Sequence, residues 1–189
     1  SGTGVLLPAP VPIPGLFGTG VDDSNVLLAG DAVDPHYKLI SSADPAFPGP
    51  NSIVVSSEPG WGLGNTGPAS KWIAPRGDQS FAPGTAGNVP GNYDYRISFN
   101  LSGFDLSTVQ LTGQWAVDSE GLDILINGIS TGNTIPTVPA PHASWHPFTI
   151  SAGFVAGTNT LTFKVRRGPG APTLPTGLRA EVSGTGKKG

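Results

Sequence analysis

Glycine or proline interrupts nearly every window of the chain, and that punctuation constrains the fold more than any other feature. Together the 28 glycines and 20 prolines make about a quarter of the 189 residues. Both oppose helix, glycine through its conformational freedom and proline through its missing N–H and ring clash. Long helices are therefore excluded, and short strands joined by turns remain. Wholesale disorder is not the alternative. Hydrophobic residues make up 37% of the chain, with β-branched and aromatic side chains spread throughout, enough to fill a core. The length suits one domain, or one domain with an arm.

Alternation supplies the strands. Tyr93, Tyr95, Ile97, Phe99 and Leu101 alternate with polar residues, as do Val109, Leu111, Gly113, Trp115 and Val117. Leu122, Ile124 and Ile126 lead into an Asn127-Gly128 turn signal, and Leu161, Phe163 and Val165 alternate across 159–166. Shorter candidates fall at 25–29, 36–42, 53–57, 70–74, 148–150 and 178–183. Period-2 patterning with turn residues at this spacing predicts an all-β fold, an antiparallel jelly roll or β-sandwich.

The N-terminus adds an extended, proline-rich arm over 1–18. Prolines at 8, 10, 12 and 14 alternate with Ala9, Val11 and Ile13. In an extended strand, successive N–H groups point to opposite edges, so alternate prolines strip the donors from one edge alone. Such a segment pairs with one neighbour and blocks growth beyond itself. A polyproline linker is the plainer reading, but Leu7, Ala9, Val11 and Ile13 form an apolar face that suits an arm docking on its own sandwich or on another copy.

Six motifs then occur in one order: Thr19-Gly20-Val21-Asp22-Asp23, Val33-Asp34-Pro35-His36-Tyr37, Ser70-Lys71-Trp72-Ile73-Ala74-Pro75, Gly113-Gln114-Trp115-Ala116-Val117-Asp118, Asp123-Ile124-Leu125-Ile126-Asn127-Gly128 and Pro175-Thr176-Gly177-Leu178-Arg179. The series resembles the galactose-binding-like β-sandwich repeated in exported bacterial surface proteins, many with a PEP-CTERM-type sorting signal. The resemblance covers roughly 19–185 and leaves 186–189 as a basic tail. It implies a jelly-roll sandwich and an extracellular location, and it implies no activity. The chain departs from the pattern in its proline arm and in ending at Gly189 without a sorting helix.

Composition narrows the chemistry. There is no cysteine, which removes disulfides, thiolate catalysis and cysteine-held zinc. There is no methionine, even at position 1, so a processed, exported chain is expected. A net charge of −3 gives no reason to expect nucleic acid, and no apolar run is long enough to span a membrane. His142 and His146 sit four apart, but Pro141 and Pro147 flank them and deny the helix that would pair them. With His36 they are read as structural or surface histidines.

Two carboxylate groups, Asp22/Asp23/Asp31/Asp34 and Asp118/Glu120/Asp123, offer oxygens for a structural Ca²⁺; turn capping by aspartate is the competing reading. No matched carboxylate pair for glycoside hydrolysis and no G-x-S-x-G elbow is recognisable, so no enzyme is expected. Trp61 and Trp145 stand in loop contexts, where exposed indoles would stack on sugar rings; the competing reading has them covering the ends of the sandwich. Trp72 and Trp115 read as core.

Charge is uneven, with four cationic against twelve acidic residues up to position 163, and six against one after it. Head-to-tail complementarity of that kind favours propagating contacts. The sequence reading is thus an extracellular structural subunit that self-assembles into a fibre or surface layer, its arm adding a strand to another copy. The alternative is a non-catalytic carbohydrate-binding module whose partner is a polysaccharide.

Overall fold

The computed structural model describes residues 8–81, 84–171 and 173–189. The fold is all-β. Its strands are β1 (Val11–Pro12), β2 (Val33–Ser42), β3 (Asn51–Val54), β4 (Ile73–Ala74), β5 (Gly91–Asn100), β6 (Gln110–Val117), β7 (Glu120–Ile126), β8 (Ile129–Ser130), β9 (His146–Ile150), β10 (Thr158–Arg167) and β11 (Leu178–Gly186). One 3-10 turn, Leu106–Thr108, precedes β6.

All pairings between these strands are antiparallel. Hydrogen bonds link them in the order β8-β7-β10-β5-β2-β3-β4-β11-β6-β9. The sheet curls so that its two halves face each other. Phe163 of β10 meets Trp115 of β6 at 5.6 Å and Phe148 of β9 at 5.9 Å between ring centroids. The inward residues of the alternating strands, Tyr93 through Phe99, Leu111, Trp115, Leu161 to Val165 and Leu178, are all buried in one core. The turn signal at Asn127-Gly128 closes the β7–β8 hairpin, with φ of 51° and 82°. Those positive values are the reason this dipeptide is favoured there.

From Val11 onward the arm lies on the chain's own last strand. β1 pairs with β11, Val11 opposite Gly186 and Pro12 opposite Thr185, and the Ile13 N–H donates to Gly184 O at 2.9 Å. Farther along, the Thr19 N–H reaches Ala180 O at 2.8 Å. Ile13 is buried, Val11 half-buried and Ala9 exposed; Leu7 falls outside the described residues. A side chain at Gly184 would meet Leu111 and Leu16, its Cβ coming within 3.0 Å of Leu16 Cδ1, so β11 is thinned where the arm crosses it. Pairing along one edge, as the alternating prolines require, is what occurs. The partner differs from the expected second copy, because β4 spans only two residues and leaves the edge of β11 open to the nearest extended segment.

Two further expectations change. Residues 25–29 form no strand beyond a single bridge, Val21 to Leu27; Asp22 Oδ1 accepts the N–H groups of Ser24 and Val26 and holds a turn there. The strand expected at 70–74 shrinks to Ile73–Ala74, since the backbone N–H groups of Lys71 and Trp72 donate to Thr19 O and Asn65 Oδ1 instead of to a neighbouring strand. The basic tail is tied down, Asp105 N–H donating to Lys187 O and Gly189 N–H to Gly103 O.

Candidate functional site

Alternation decides what the outer face of β11, β6 and β9 displays. Leu178, Ala180 and Val182 point into the core, as do Leu111, Trp115, Phe148 and Ile150. Their neighbours therefore face outward. Register then sets them in rows: Glu181 beside Gln114 beside Pro147, and Ser183 beside Thr112 beside Thr149. A third row holds Arg179 and Ala116, with Trp145 at the entrance to β9. Rows two residues apart on a strand lie about 7 Å apart. Thr112, Gln114, Glu181 and Ser183 line an open depression of about 460 Å³.

The polar groups in it are fixed from below and from the side. Glu181 accepts from Gln114 Nε2 through one oxygen and from Ser70 Oγ through the other, both at 2.9 Å. Ser70 Oγ in turn accepts from Arg179 Nε at 2.9 Å. Arg179 gives three more of its donors to the carbonyls of Leu63, Gly64 and Gly67. It thereby pins the 63–70 loop against the sheet. Burial of the guanidinium lowers its pKa from the ordinary arginine range, with Glu181 and Glu58 opposing the shift. The same group lies 5.1 Å from the ring of half-buried Trp145, a cation–π contact that helps hold this indole where it packs, with Leu63, against the cluster of Val55, Trp61, Trp72, Ala74 and Ala116.

Trp61 is not a platform for a sugar. It is 4% exposed, its ring lies 4.2 Å from that of Trp72 at a tilt of 33°, and its Nε1 donates to Asp118 Oδ1 at 2.7 Å. Together with Val55, Ala74 and Ala116 the two indoles form a second, smaller core outside the sheet. Gly177 makes room for them, since a Cβ there would stand 2.9 Å from the Trp61 ring. Trp72 and Trp115 are fully buried, as their contexts suggested.

The carboxylates expected around Ca²⁺ are dispersed among backbone duties. Asp34 is buried and accepts from the N–H groups of Gly20, His36 and Tyr37. Asp31 accepts from Ser56 Oγ, and Asp23 lies 3.5 Å from His36 Nε2. In the other group Asp118 is bound by Trp61 and Ser119, Glu120 pairs with Arg166, and Asp123 accepts from Ile124 and Gly132 N–H. Among the described residues no three histidines or carboxylates gather as a metal set. His36 stacks on Phe17, His142 sits in a turn and His146 opens β9 opposite Trp115.

Sequence reasoning missed Thr112, Gln114, Glu181, Ser183 and Ser70. Four of these occupy the outward positions of two recognised strands. The signal was present as alternation, but which strands stand side by side was not.

No protein-family model matches the chain, and no curated protein matches it. Solved structures are similar in part. A family 35 carbohydrate binding module from Clostridium thermocellum aligns over 94% of this chain and 97% of its own, at 12% identity and a TM-score of 0.43. A module of the same family from Paenibacillus barcinonensis aligns over 92% and 97%, at 15% identity and a TM-score of 0.36. The CBM36-1 domain of a multidomain xylanase from the hindgut metagenome of Trinervitermes trinervoides aligns over 52% and 74%, at 16% identity and a TM-score of 0.33.

Proposed function

We propose that this chain is a non-catalytic carbohydrate-binding module that takes a polysaccharide along the outer face of β11, β6 and β9. The observation that carries the reading is the pre-set row of Glu181 and Gln114, held by Ser70 and Arg179, beside the half-buried Trp145. Sugar hydroxyls are met by carboxylate and amide groups whose orientation is already fixed, while an indole covers the apolar C–H surface of a ring. The hydroxyls of Thr112 and Ser183, 3.4 Å apart, continue the polar row.

Among the residues lining the depression Glu181 is the one carboxylate. Glycoside hydrolysis in its usual form needs two, which favours binding over cleavage. An exported setting at a cell surface, the context of the resembling domains, suits a module of this kind. The fibre-subunit reading loses its main argument, because the arm that was to complete another copy occupies its own sheet.

The test is a titration of the intact chain with soluble polysaccharides, read by amide chemical shifts. Shifts clustered on β6 and β11 are expected, with W145A and Q114A each weakening binding about tenfold. Silence of that face toward every polysaccharide tried, or release of reducing ends, overturns the reading.

A further inference from the structure

The opposite face carries a second feature that the first does not explain. Lys38 on β2 stands directly across from Arg96 on β5. Like charges in direct cross-strand register repel, and the pair costs stability. In a chain with only 12% charged residues, it is not the by-product of a crowded charged surface. Neither cation is neutralised. The ion pairs among the described residues are His36–Asp23, Lys164–Asp94 and Arg166–Glu120. Arg96 is steadied by one bond, its Nε donating to Thr162 Oγ1 at 3.1 Å. Its two terminal nitrogens have no partner among the described residues.

The surroundings have the shape of a site. Lys38 and Arg96 line a cleft of about 360 Å³ together with Pro35, His36, Ile40 and Ser98. Ile40, two residues after Lys38 on β2, shares its outward face and is 41% exposed beside the cations. The cleft thus joins two free cationic groups, a hydroxyl at Ser98 and a patch of aliphatic surface. Asp23, beside His36, and Asp94, two residues from Arg96 on β5 and paired with Lys164, are each already engaged.

We propose that Lys38 and Arg96 form an anion site for the carboxylate or sulfate groups of an acidic polysaccharide. A guanidinium edge with both terminal nitrogens free matches an oxyanion in two-point fashion, and an ammonium beside it adds a point charge. Pro35 and Ile40 give a sugar ring apolar surface to lie on. The size of the cleft favours a glycan over a protein, whose interfaces need roughly 1,000 Å² or more.

The site is independent of the glycan-binding reading of the other face, and the experiment separates them. The intact chain is titrated with polygalacturonate and with an uncharged galactan, following the amides of β2 and β5. Polygalacturonate alone shifts Lys38 and Arg96. K38Q and R96Q each weaken binding about tenfold as read at the β2 and β5 amides, whereas the shifts at those amides persist in Q114A, whose effect is confined to the face of β6 and β11. Sodium sulfate displaces it more strongly than sodium chloride at equal ionic strength. The double variant melts no lower than wild type, since repulsion is relieved, so loss of binding is not loss of fold. Equal shifts with the galactan, binding that survives the double variant, or sulfate no better than chloride overturns the proposal.

Discussion

Single residues carry charge into places where water cannot follow, and each does so with fixed partners. Arg179 is 2% exposed, yet its donors meet Ser70 and three loop carbonyls, and a lysine could not reproduce that fork. Asp118 is the counterpart under Trp61. Burial raises its carboxyl above the ordinary 3.8, while the Trp61 and Ser119 donors pull it partly back. A raised carboxyl binds its proton more tightly in the folded chain than in the unfolded one. Stability therefore falls as pH climbs from about 3.8 through the raised value, and stays lowered above it. Asp34 is raised for the same reason and adds to the same window. In D118N the amide oxygen still accepts from Trp61 and the charge is gone. The drop in melting temperature between about pH 4 and about pH 7 is expected to be smaller than in wild type; an equal drop places the titration elsewhere.

Among the elements, the two-residue β1 is the one that joins the two ends of the described chain. Two strand residues and the Ile13 that follows them lock the start of the chain to its end. Beyond them, Tyr37 OH donates to Phe17 O at 2.8 Å, tying the same segment to β2. Ile13 drops into the main core at 5% exposure. Truncating such a residue leaves a cavity as well as lost burial, so I13A is expected to cost about 2–4 kcal/mol in urea unfolding. A cost within about 0.5 kcal/mol, the range of ordinary surface substitutions, means that the segment is dispensable. The proline alternation was legible because donor arithmetic is local. The identity of the docking strand was not, because β11 lies about 170 residues away in sequence.

At the scale of the molecule, the edges of the curled sheet are blunted. β8 is two residues long, β9 carries Pro147, and the arm presents prolines at 10, 12 and 14. Short and proline-bearing edges resist further strand addition. The whole chain is thus expected to sediment as a monomer of 19.2 kDa, and a labelled peptide of residues 8–18 should not bind it. Oligomers dispersed by that peptide would restore the fibre reading. What the two broad outer faces offer instead is surface, one bearing Glu181, Gln114 and Trp145, the other Lys38 and Arg96.

By itself the amino-acid order determined that the chain is all-β, where most of its strands run, that Asn127-Gly128 turns a hairpin, and that the arm has one pairing edge. Each of these follows from period-2 burial, backbone stereochemistry or missing donors, which act over a few residues. Only the tertiary structure decided that the arm pairs at home, that Trp61 is walled in by Trp72 and Asp118, and that Ser70 reaches Glu181 across 111 positions. Alternation says which side of a strand a residue takes. It cannot say which strand lies alongside or what a loop will cover, because those are settled by the closing of the sheet and by the competition of distant segments for one open edge.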